Sequence, residues 1–329
     1  MTARRTARFH PLYQARLHLL DGFPGPGILN DPAADAARTA FGEPFGDPGL
    51  PEVDTQDREV PGPNGPVPVR IYRRRQQSPD PVVGLVWFHG GAFMWGDLDI
   101  PEADHFARQM AHRTGAVVIS VDYRLCNDKV HLPVPHDDSY AVYTWVRQHA
   151  ADLGIDPARL AVGGGSAGGT LAASVSLHAS DTGQRPWQML LAYPVLHPDL
   201  PEAGDELRAA IEATPPALQF TPQACVQINE YVLGRPNSTA TAYDFPGLAP
   251  DHSRFPPAYI ENSEFDTLRA SGERFAEDLA AAGVPVEQVT AEGVPHGHLG
   301  AVGSPMLEAA YQRFARRLLT GRATDRSHH

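Results

Sequence analysis

Runs of apolar residues alternate with amphipathic stretches over most of the chain from residue 82 onward. Nearly continuous apolar runs predict strands that are buried on both faces of a parallel sheet. Three such runs are Val82 to Phe88, Ala116 to Val121 and Met189 to Ala192. Further strands are predicted at Leu160 to Val162, at Ala258 to Glu261 and around Val284 to Val289. Helices are predicted at Glu102 to Arg113, Asp138 to Leu153, from Ser166 onward, Leu268 to Ala282 and Pro305 to Leu319. Strands that alternate with helices in this way indicate a doubly wound α/β sheet.

Two regions fall outside this alternation. In residues 1–50 the chain shows short helical patterns, with Asp31-Pro32 as a predicted N-cap and first turn. The stretch 199–250 is rich in proline and contains one clear helical segment, Pro222 to Leu233, which is ended by a glycine. An insertion of this kind after a sheet strand is typical of a lid. Between the two regions, Val67 to Ile71 alternates after a Pro-Gly turn, which predicts the second arm of a β-hairpin.

Composition narrows the class of protein. The chain has 329 residues, of which 42% are hydrophobic and 20% charged, as in a globular protein with a sizeable core. The net charge of -12 disfavours nucleic acid and anionic membranes as partners. Cys126 and Cys225 form no disulfide framework and have no metal-ligand spacing, and polar residues interrupt the apolar run Phe9 to Leu20. We therefore expect a cytoplasmic protein without a metal site.

The glycine-rich segment Gly163 to Gly169 carries the sharpest chemical signal. It contains the pattern G-x-S-x-G, with Ser166 at its centre, between a predicted strand and a predicted helix. A chain that reverses so abruptly needs residues without Cβ on both sides of the serine. The serine then lies over the positive N-terminus of the helix, where negative charge is favoured. The alternative is a turn that binds phosphate or only packs, although no Gly-Lys-Ser/Thr of a Walker A loop follows.

A second segment, His89 to Phe93, directly follows the first buried strand. A tetrahedral oxyanion is stabilised by N–H donors aimed at one point, and glycines let the backbone approach that closely. Gly90 and Gly91 are expected to supply two of these donors, and Ala167 supplies a third. His89 is interpreted as a structural imidazole that orients the loop and carries no proton. Together the two segments predict a serine hydrolase.

A serine nucleophile needs a base and an orienting carboxylate, here in the chain order serine, acid, histidine. Glu261, Glu264 and Asp266 stand at or after one predicted strand, and Asp266 also suits a helix N-cap. His296 and His298 both lie in the loop before the last helix. One of the two is expected to be a loop residue whose hydrogen bonds are internal to the fold, and we assign that role to His298.

These motifs together resemble the hormone-sensitive-lipase family of α/β hydrolases, the bacterial esterases with an H-G-G-G/A-F oxyanion motif. The resemblance covers roughly residues 67–320 and includes Val121 to Leu125 and Asp137 to Tyr140. It implies an α/β-hydrolase fold, in which a mostly parallel central sheet is flanked by helices and carries a helical cap. It implies no cofactor. Members of the family often dimerise, and the sequence neither supports nor excludes a homodimer.

The resemblance also implies a set of site residues. The triad would be Ser166, Asp266 and His296, with an oxyanion hole from Gly90, Gly91 and Ala167. In the family pattern the catalytic histidine is followed by glycine and then by an apolar or aromatic residue. That third position is His298 here, so His298 and Phe93 are expected to line the substrate pocket.

The resemblance divides the chain into four segments. We expect an N-terminal cap segment at residues 1–50, the first part of the α/β-hydrolase core at 51–198, a cap or lid insertion at 199–250, and the second part of the core at 251–322. The cap shapes the pockets for the acyl and alcohol groups.

The expected activity is hydrolysis of small carboxylic esters with short acyl chains through an acyl-enzyme. An amidase, deacetylase or lactonase would use the same triad, and a non-catalytic small-molecule-binding protein could share the fold. The presence of His296 argues against the binding protein. Two departures from the family bear on substrate preference: Gly165 stands where an aspartate usually precedes the nucleophile, and Cys126-Asn127-Asp128 replaces Ala-Pro-Glu.

Overall fold

The computed structural model describes residues 8–27, 31–76 and 78–321. Residues 1–7 and 28–30 of the predicted N-terminal cap segment, and residue 322 with the tail after it, lie outside the described residues. The strands are β1 Val53–Val60, β2 Val67–Arg74, β3 Val82–Phe88, β4 Val117–Val121, β5 Ile155–Gly165, β6 Met189–Ala192, β7 Ala258–Phe265 and β8 Val286–Pro295. The helices are α1 Pro11–Gln14, α2 Pro32–Phe41, α3 Asp104–Thr114, α4 Val134–Gln148, α5 Ala167–Asp181, α6 Asp205–Glu212, α7 Pro222–Leu233, α8 Arg269–Ala281 and α9 Pro305–Thr320.

The strands form one sheet in the order β1-β2-β4-β3-β5-β6-β7-β8. The hairpin β1-β2 pairs antiparallel with itself and with β4, and every other pairing is parallel. The predicted α/β sheet and the predicted hairpin are therefore confirmed. Parallel strands need crossover connections, and these are the helices that the sequence pattern placed between them.

The central strands β3, β4 and β6 are buried on both faces, as their apolar runs predicted, whereas the edge strand β1 is mostly exposed. Successive residues of β3 point to opposite sides, so that Val86 and Phe88 join one hydrophobic cluster while Leu85 and Trp87 join the other. The first cluster packs under α4, α5 and α8, and the second packs under α3 and α9. In the second cluster Trp87 stacks on a phenylalanine of α3 with a centroid distance of 3.9 Å.

Several elements have bounds that differ from the prediction, and one helix and one strand show the physical reasons. The helix expected at Asp138 to Leu153 is Val134–Gln148. It begins earlier because Pro135 suits the first turn of a helix, and the segment after Gln148 tightens into turns that end at Gly154 with φ +71°. The strand expected at Ala258 to Glu261 continues to Phe265, because its polar residues are buried and paired within the sheet.

The parallel strands deliver their carboxyl ends to one edge of the sheet. The loops after β3, β5, β7 and β8 begin at His89, Ser166, Asp266 and His296. Open α/β sheets bind ligands at this edge. Above it lie α2 from the N-terminal region, capped by the Asp31 carboxylate as predicted, and α7, which ends at Gly234 with φ +65°.

Candidate active site

Ser166 is the single residue between β5 and α5. Its φ of 52° and ψ of -120° are rare for a residue with a side chain, and such strain is maintained only where the surrounding structure enforces it. A Cβ at Gly168 would lie 2.0 Å from the carbonyl oxygen of Phe88, and a Cβ at Gly164 would lie 2.3 Å from the carbonyl of Gly168. The glycines on both sides of the serine are therefore required by close packing of the turn against the end of β3.

His296 joins Ser166 to Asp266. The distance from His296 Nε2 to Ser166 Oγ is 2.9 Å, and the distance from His296 Nδ1 to Asp266 Oδ2 is 2.7 Å. The second carboxylate oxygen of Asp266 accepts a hydrogen bond from the backbone N–H of Leu268 at 2.9 Å. The Asp266 side chain is fully buried, while 15% of the His296 side chain is exposed. The structure thus brings together the three residues that the family resemblance implied.

The electrostatics of His296 suit a proton acceptor. Burial alone would lower the pKa of the imidazole, but the charge and the hydrogen bond of Asp266 outweigh burial, and the charge of Glu102 adds to them. The net effect is a pKa above the ordinary value of 6.5. An imidazole that is stabilised in its charged form is well placed to take a proton from Ser166.

The loop His89 to Phe93 is held in an unusual backbone conformation. Gly91, Ala92 and Phe93 have φ values of 118°, 50° and 61°. At Gly91 only glycine fits, because a Cβ there would lie 2.0 Å from the carbonyl oxygen of Trp95. Gly91, Ala92 and Phe93 line the pocket beside Ser166, as predicted for Phe93. This conformation directs the backbone of the loop toward the serine.

The predicted donor role of Gly90 is corrected by the structure. Its N–H donates to the Glu102 carboxylate, and Gly90 is not among the residues that line the pocket. The physical reason is the turn at Gly91, where a φ of 118° changes the direction of the backbone between Gly90 and Ala92. Gly91 and Ala92 face the pocket, and the N–H of Ala167 has no partner within its helix because it belongs to the first turn.

His89 occupies the structural position that was expected. It is fully buried, its ring stacks on Tyr123 with a centroid distance of 4.4 Å, and its backbone carbonyl accepts a hydrogen bond from the Tyr123 hydroxyl at 2.7 Å. The next residue, Arg124, pairs with the buried Asp138 at 2.6 Å. The segments Val121 to Leu125 and Asp137 to Tyr140, which also resemble the family, therefore stabilise the loop through the Tyr123 hydroxyl and the Arg124–Asp138 pair.

The pocket-lining role predicted for His298 is wrong. His298 is fully buried, and its ring nitrogens lie 2.9 Å from Glu261 Oε1 and 2.8 Å from Ser263 Oγ. Arg313 also contacts Glu261, through two hydrogen bonds of 2.7 Å. Burial would raise the pKa of Glu261, but the bonds from Arg313 and His298 lower it to about 2. His298 therefore belongs to a buried ionic network under the site, because this network offers partners for both of its nitrogens.

A pocket of about 830 Å³ opens over Ser166. Its inner wall is mostly apolar, and both regions outside the strand–helix alternation contribute to it. The contributors from these regions and the adjacent loop are Pro26, Gly27, Asp35, Arg38, Thr39, Trp95, Phe220, Cys225, Ile228 and Asn229. The volume lies within the range of small-molecule sites.

Cys126 does not line this pocket. The residue is buried, and burial raises the pKa of its thiol to about 12.

Glu102 is the site residue that the sequence reasoning missed. It was assigned to the start of a helix, whereas α3 begins two residues later and Glu102 lines the pocket. One signal was present in the sequence, namely the absence of the usual acidic residue at position 165.

Within residues 8–27, 31–76 and 78–321 there is no group of three or more His, Cys, Asp or Glu side chains that could hold a metal ion. In the same residues no helix is long and apolar enough to cross a membrane.

Comparison with known proteins gives consistent matches. Residues 85–300 match the family model described as an α/β hydrolase fold. The chain is 36% identical to esterase LipI of Mycobacterium tuberculosis over 293 residues, which cover 87% of this chain and 88% of LipI. It is 38% identical to carboxylesterase NlhH of the same organism over 258 residues, covering 76% and 77% of the two chains. A solved hyperthermophilic esterase from the archaeon Pyrobaculum calidifontis matches with a TM-score of 0.80 at 28% identity, covering 94% of this chain and 98% of that one.

Proposed function

The chain belongs to the hormone-sensitive-lipase-like family of α/β hydrolases and is a serine ester hydrolase, and we propose that Ser166, His296 and Asp266 are its nucleophile, base and orienting acid. The observation that carries this proposal is the continuous hydrogen-bonded line from Ser166 Oγ through His296 to Asp266, with distances of 2.9 Å and 2.7 Å. The strained backbone of Ser166 and the raised pKa of His296 support it further.

The reaction then proceeds through an acyl-enzyme. Ser166 Oγ attacks the ester carbonyl carbon while His296 Nε2 takes the hydroxyl proton. The carbonyl oxygen becomes an oxyanion, which accepts hydrogen bonds from the N–H groups of Gly91, Ala92 and Ala167. When the carbon–oxygen bond breaks, His296 gives the proton to the leaving alcohol. Water repeats these steps on the acyl-enzyme and releases the carboxylic acid.

Asp266 holds the imidazole in the tautomer that leaves Nε2 free to accept a proton. Its carboxylate accepts from Nδ1–H and also stabilises the imidazolium that forms in the transition state. The bond from the backbone of Leu268 fixes the carboxylate itself. The buried position of Asp266 keeps this interaction out of water, where it would be weaker.

We further propose small esters with acyl chains of about two to six carbons as substrates, because two regions outside the sheet wall the pocket and limit its length. Each methylene that fits adds only about 1–3 kcal/mol, so the limit is set by the space available. Residues 1–50 and 199–250 act as the cap in this proposal. Both segments contribute to the wall of the 830 Å³ pocket, through α2 and through the residues from Phe220 to Asn229. A panel of p-nitrophenyl esters from acetate upward tests this preference, and a maximum at long-chain triglycerides with interfacial activation contradicts it.

A cytoplasmic location is proposed from the two cysteines. Cys126 and Cys225 are both free and buried, as expected in a reducing compartment. Fractionation of the source cells should recover the protein together with cytoplasmic markers, and recovery from the culture medium of intact cells contradicts the proposal.

The decisive experiment combines turnover with active-site labelling. Ser166→Ala should keep its melting temperature and lose at least about 10⁴-fold of its turnover of p-nitrophenyl acetate, since Ser166 is the proposed nucleophile. A fluorophosphonate reagent should label the wild-type protein at Ser166 and leave the variant unlabelled. A folded variant that still forms an acyl-enzyme assigns the nucleophile elsewhere.

A further inference from the structure

A carboxylate from outside the nucleophile motif fills the space beside Ser166. Glu102 lies 14 positions after Phe88, the last residue of β3, and its backbone carbonyl accepts a hydrogen bond from the indole N–H of Trp87 at 2.9 Å. One oxygen of its carboxylate accepts the N–H of Gly90, and the other accepts the hydroxyl of Tyr193 at 2.6 Å. Both main chain and side chain of Glu102 are therefore fixed relative to the sheet edge.

The position next to the nucleophile is shaped to receive this carboxylate. A Cβ at Gly165 would lie 2.6 Å from Glu102 Cδ and Oε1 and 2.8 Å from Oε2. A side chain at position 165 and the present position of Glu102 therefore exclude each other. The backbone of Gly165 does not require glycine, because its φ lies outside the left-handed region. The reason for glycine at this position is the neighbouring carboxylate.

We propose that Glu102 is a positioning residue of the reaction. From the loop before α3 it supplies the carboxylate that the family resemblance would place directly before the nucleophile. The inference rests on the proposed function of Ser166 and His296. It adds a residue that acts on the oxyanion loop and on the base without contacting the substrate carbonyl.

The first effect of Glu102 is on the oxyanion loop. A charged acceptor forms a stronger hydrogen bond than a neutral one, so the bond to the N–H of Gly90 holds the loop firmly. Gly91 and Ala92 follow directly, and their N–H groups are proposed oxyanion donors. Strained residues need such support, and the φ values of 118° and 50° at these two positions are both in the left-handed region.

The second effect is on the base. Tyr193 donates to Glu102, and the Tyr193 ring meets the His296 ring edge-on at a centroid distance of 5.0 Å. Asp266 and Glu102 are the two negative groups that raise the pKa of His296 against the effect of burial. Burial keeps Tyr193 protonated by raising its pKa, and the charge of Glu102 acts in the same direction. Removing the negative charge of Glu102 should therefore make the imidazolium easier to deprotonate.

Two substitutions separate charge from hydrogen bonding. Glu102→Gln keeps an acceptor for Gly90 but removes the charge, so the acidic limb of kcat/KM should move to lower pH while the loss at the optimum stays about tenfold or less. Glu102→Ala removes both, and kcat should fall about 10²-fold, as when one oxyanion donor is lost. The effect is expected mainly in kcat, because the carboxylate acts through Gly90 and Tyr193, and Glu102 forms only one part of the pocket wall.

Asp104 provides a matched control. It stands two residues later, and its carboxylate contacts the Tyr72 hydroxyl at 3.0 Å and Arg108 at 2.7 Å, away from the pocket. Asp104→Asn should lower the melting temperature and leave the pH profile of kcat/KM unchanged. If it shifts the profile as Glu102→Gln does, the shift is a general effect of charge and the proposal is overturned.

The sharpest test moves the carboxylate to the family position. Gly165→Asp alone should be strongly impaired, because its side chain collides with Glu102. The double variant Glu102→Ala/Gly165→Asp frees that space and should recover at least tenfold in kcat over Glu102→Ala, together with the wild-type acidic limb. A double variant no better than the worse single variant overturns the exchange of positions.

Failure of this inference and failure of the proposed function give different results. If the wild-type protein is neither labelled by fluorophosphonate at Ser166 nor active on p-nitrophenyl esters, the proposed function fails. If it is labelled and active, and the Glu102 variants keep the wild-type kcat and pH profile, only the role of Glu102 fails.

Discussion

Two sets of residues meet at the pocket. The strand-end site comprises the loop His89 to Phe93 with Ser166, Asp266 and His296, all placed by the carboxyl ends of parallel strands. The cap wall comprises the pocket-lining residues of α2 and of the segment from Phe220 to Asn229. Around the strand-end site, backbone lies against backbone so closely that added Cβ atoms would come within 2.0–2.3 Å of carbonyl groups. The cap wall presents side chains to an open volume of about 830 Å³.

This contrast separates chemistry from selectivity. A site built from backbone contacts allows few substitutions, because a carbonyl oxygen of a sheet cannot move away without disturbing the strand. A wall built from side chains changes its shape when one side chain changes. In the proposed function the strand-end site carries out the reaction, and the cap wall selects which ester fits. The predictions below test this division, beginning with the largest expected effect.

The largest effect is expected at His296, the proposed base. His298, two residues later, belongs to the buried network of Glu261 and serves as the control. His296→Ala should lower kcat by about 10³-fold or more with little change in melting temperature, since the base is lost but the fold is not. His298→Ala should keep kcat within a few-fold and lose about 1–3 kcal/mol of the free energy of unfolding, since Glu261 loses a partner in a buried network. Steady-state kinetics and thermal unfolding of both variants provide the measurement.

The opposite result at these two positions would be decisive. An inactive but stable 298 variant beside an active 296 variant would show that the base had been misassigned within an otherwise intact triad.

The second effect concerns the turn around the nucleophile. Gly168→Ala places a Cβ 2.0 Å from the carbonyl oxygen of Phe88 and should cost about 1–3 kcal/mol of stability or more, together with most activity. Gly204, the N-cap of α6 in the proline-rich insertion, has nothing within 4 Å of a Cβ, so Gly204→Ala should cost no more than about 1 kcal/mol and leave activity unchanged. Chemical denaturation of the two alanine variants compares them directly. Equal losses at the two positions would remove the steric contrast between the regions.

The third effect concerns selectivity. Ile228 lies on α7 and lines the pocket, so Ile228→Ala should raise kcat/KM for longer acyl chains relative to acetate by about tenfold per accommodated methylene. Val232 lies one turn later on the same helix and is fully buried without lining the pocket. Val232→Ala should lose stability and leave the chain-length profile unchanged. A shift in both variants would point to a movement of α7 as a whole, and a shift in neither would exclude this helix from the acyl site.

The sequence could predict where Ser166, Asp266 and His296 lie because the constraints on their positions are local. Glycine around Ser166 and in the segment after β3 follows from the turns that these positions must make, and apolar runs mark the strands that support them. Prediction failed where the partner is distant in sequence. Glu102 meets Gly90 and Tyr193 only in the folded chain, and the network of His298 with Glu261 includes an arginine from the last helix.

The cap wall was predicted only as a region. Its proline content and the helix Pro222–Leu233 were visible in the sequence, and that helix has the predicted bounds. Which of its side chains face the pocket depends on how α7 lies across the sheet edge, and no local pattern encodes that placement. The same limit applies to strand β7 within the core. Its polar residues continue the strand beyond the apolar run, and only the tertiary structure places them in the sheet.

The smallest effect is expected at Cys126, which departs from the family pattern and contacts the strand-end site through its main chain. Its backbone N–H donates to the carbonyl of Phe93 at 2.7 Å, so the residue helps to hold the oxyanion loop through its main chain. The thiol itself is buried, and burial raises its pKa to about 12, so almost no thiolate forms at neutral pH. Iodoacetamide should therefore react slowly with the folded protein and leave ester hydrolysis unchanged, and Cys126→Ala should retain activity within about twofold because the backbone contact persists. Mass spectrometry of the labelled peptide, read beside residual activity, measures both quantities. Rapid alkylation of Cys126 with loss of turnover would contradict this prediction. It would show that the thiol lines the substrate pocket and that the residue does more than support the oxyanion loop.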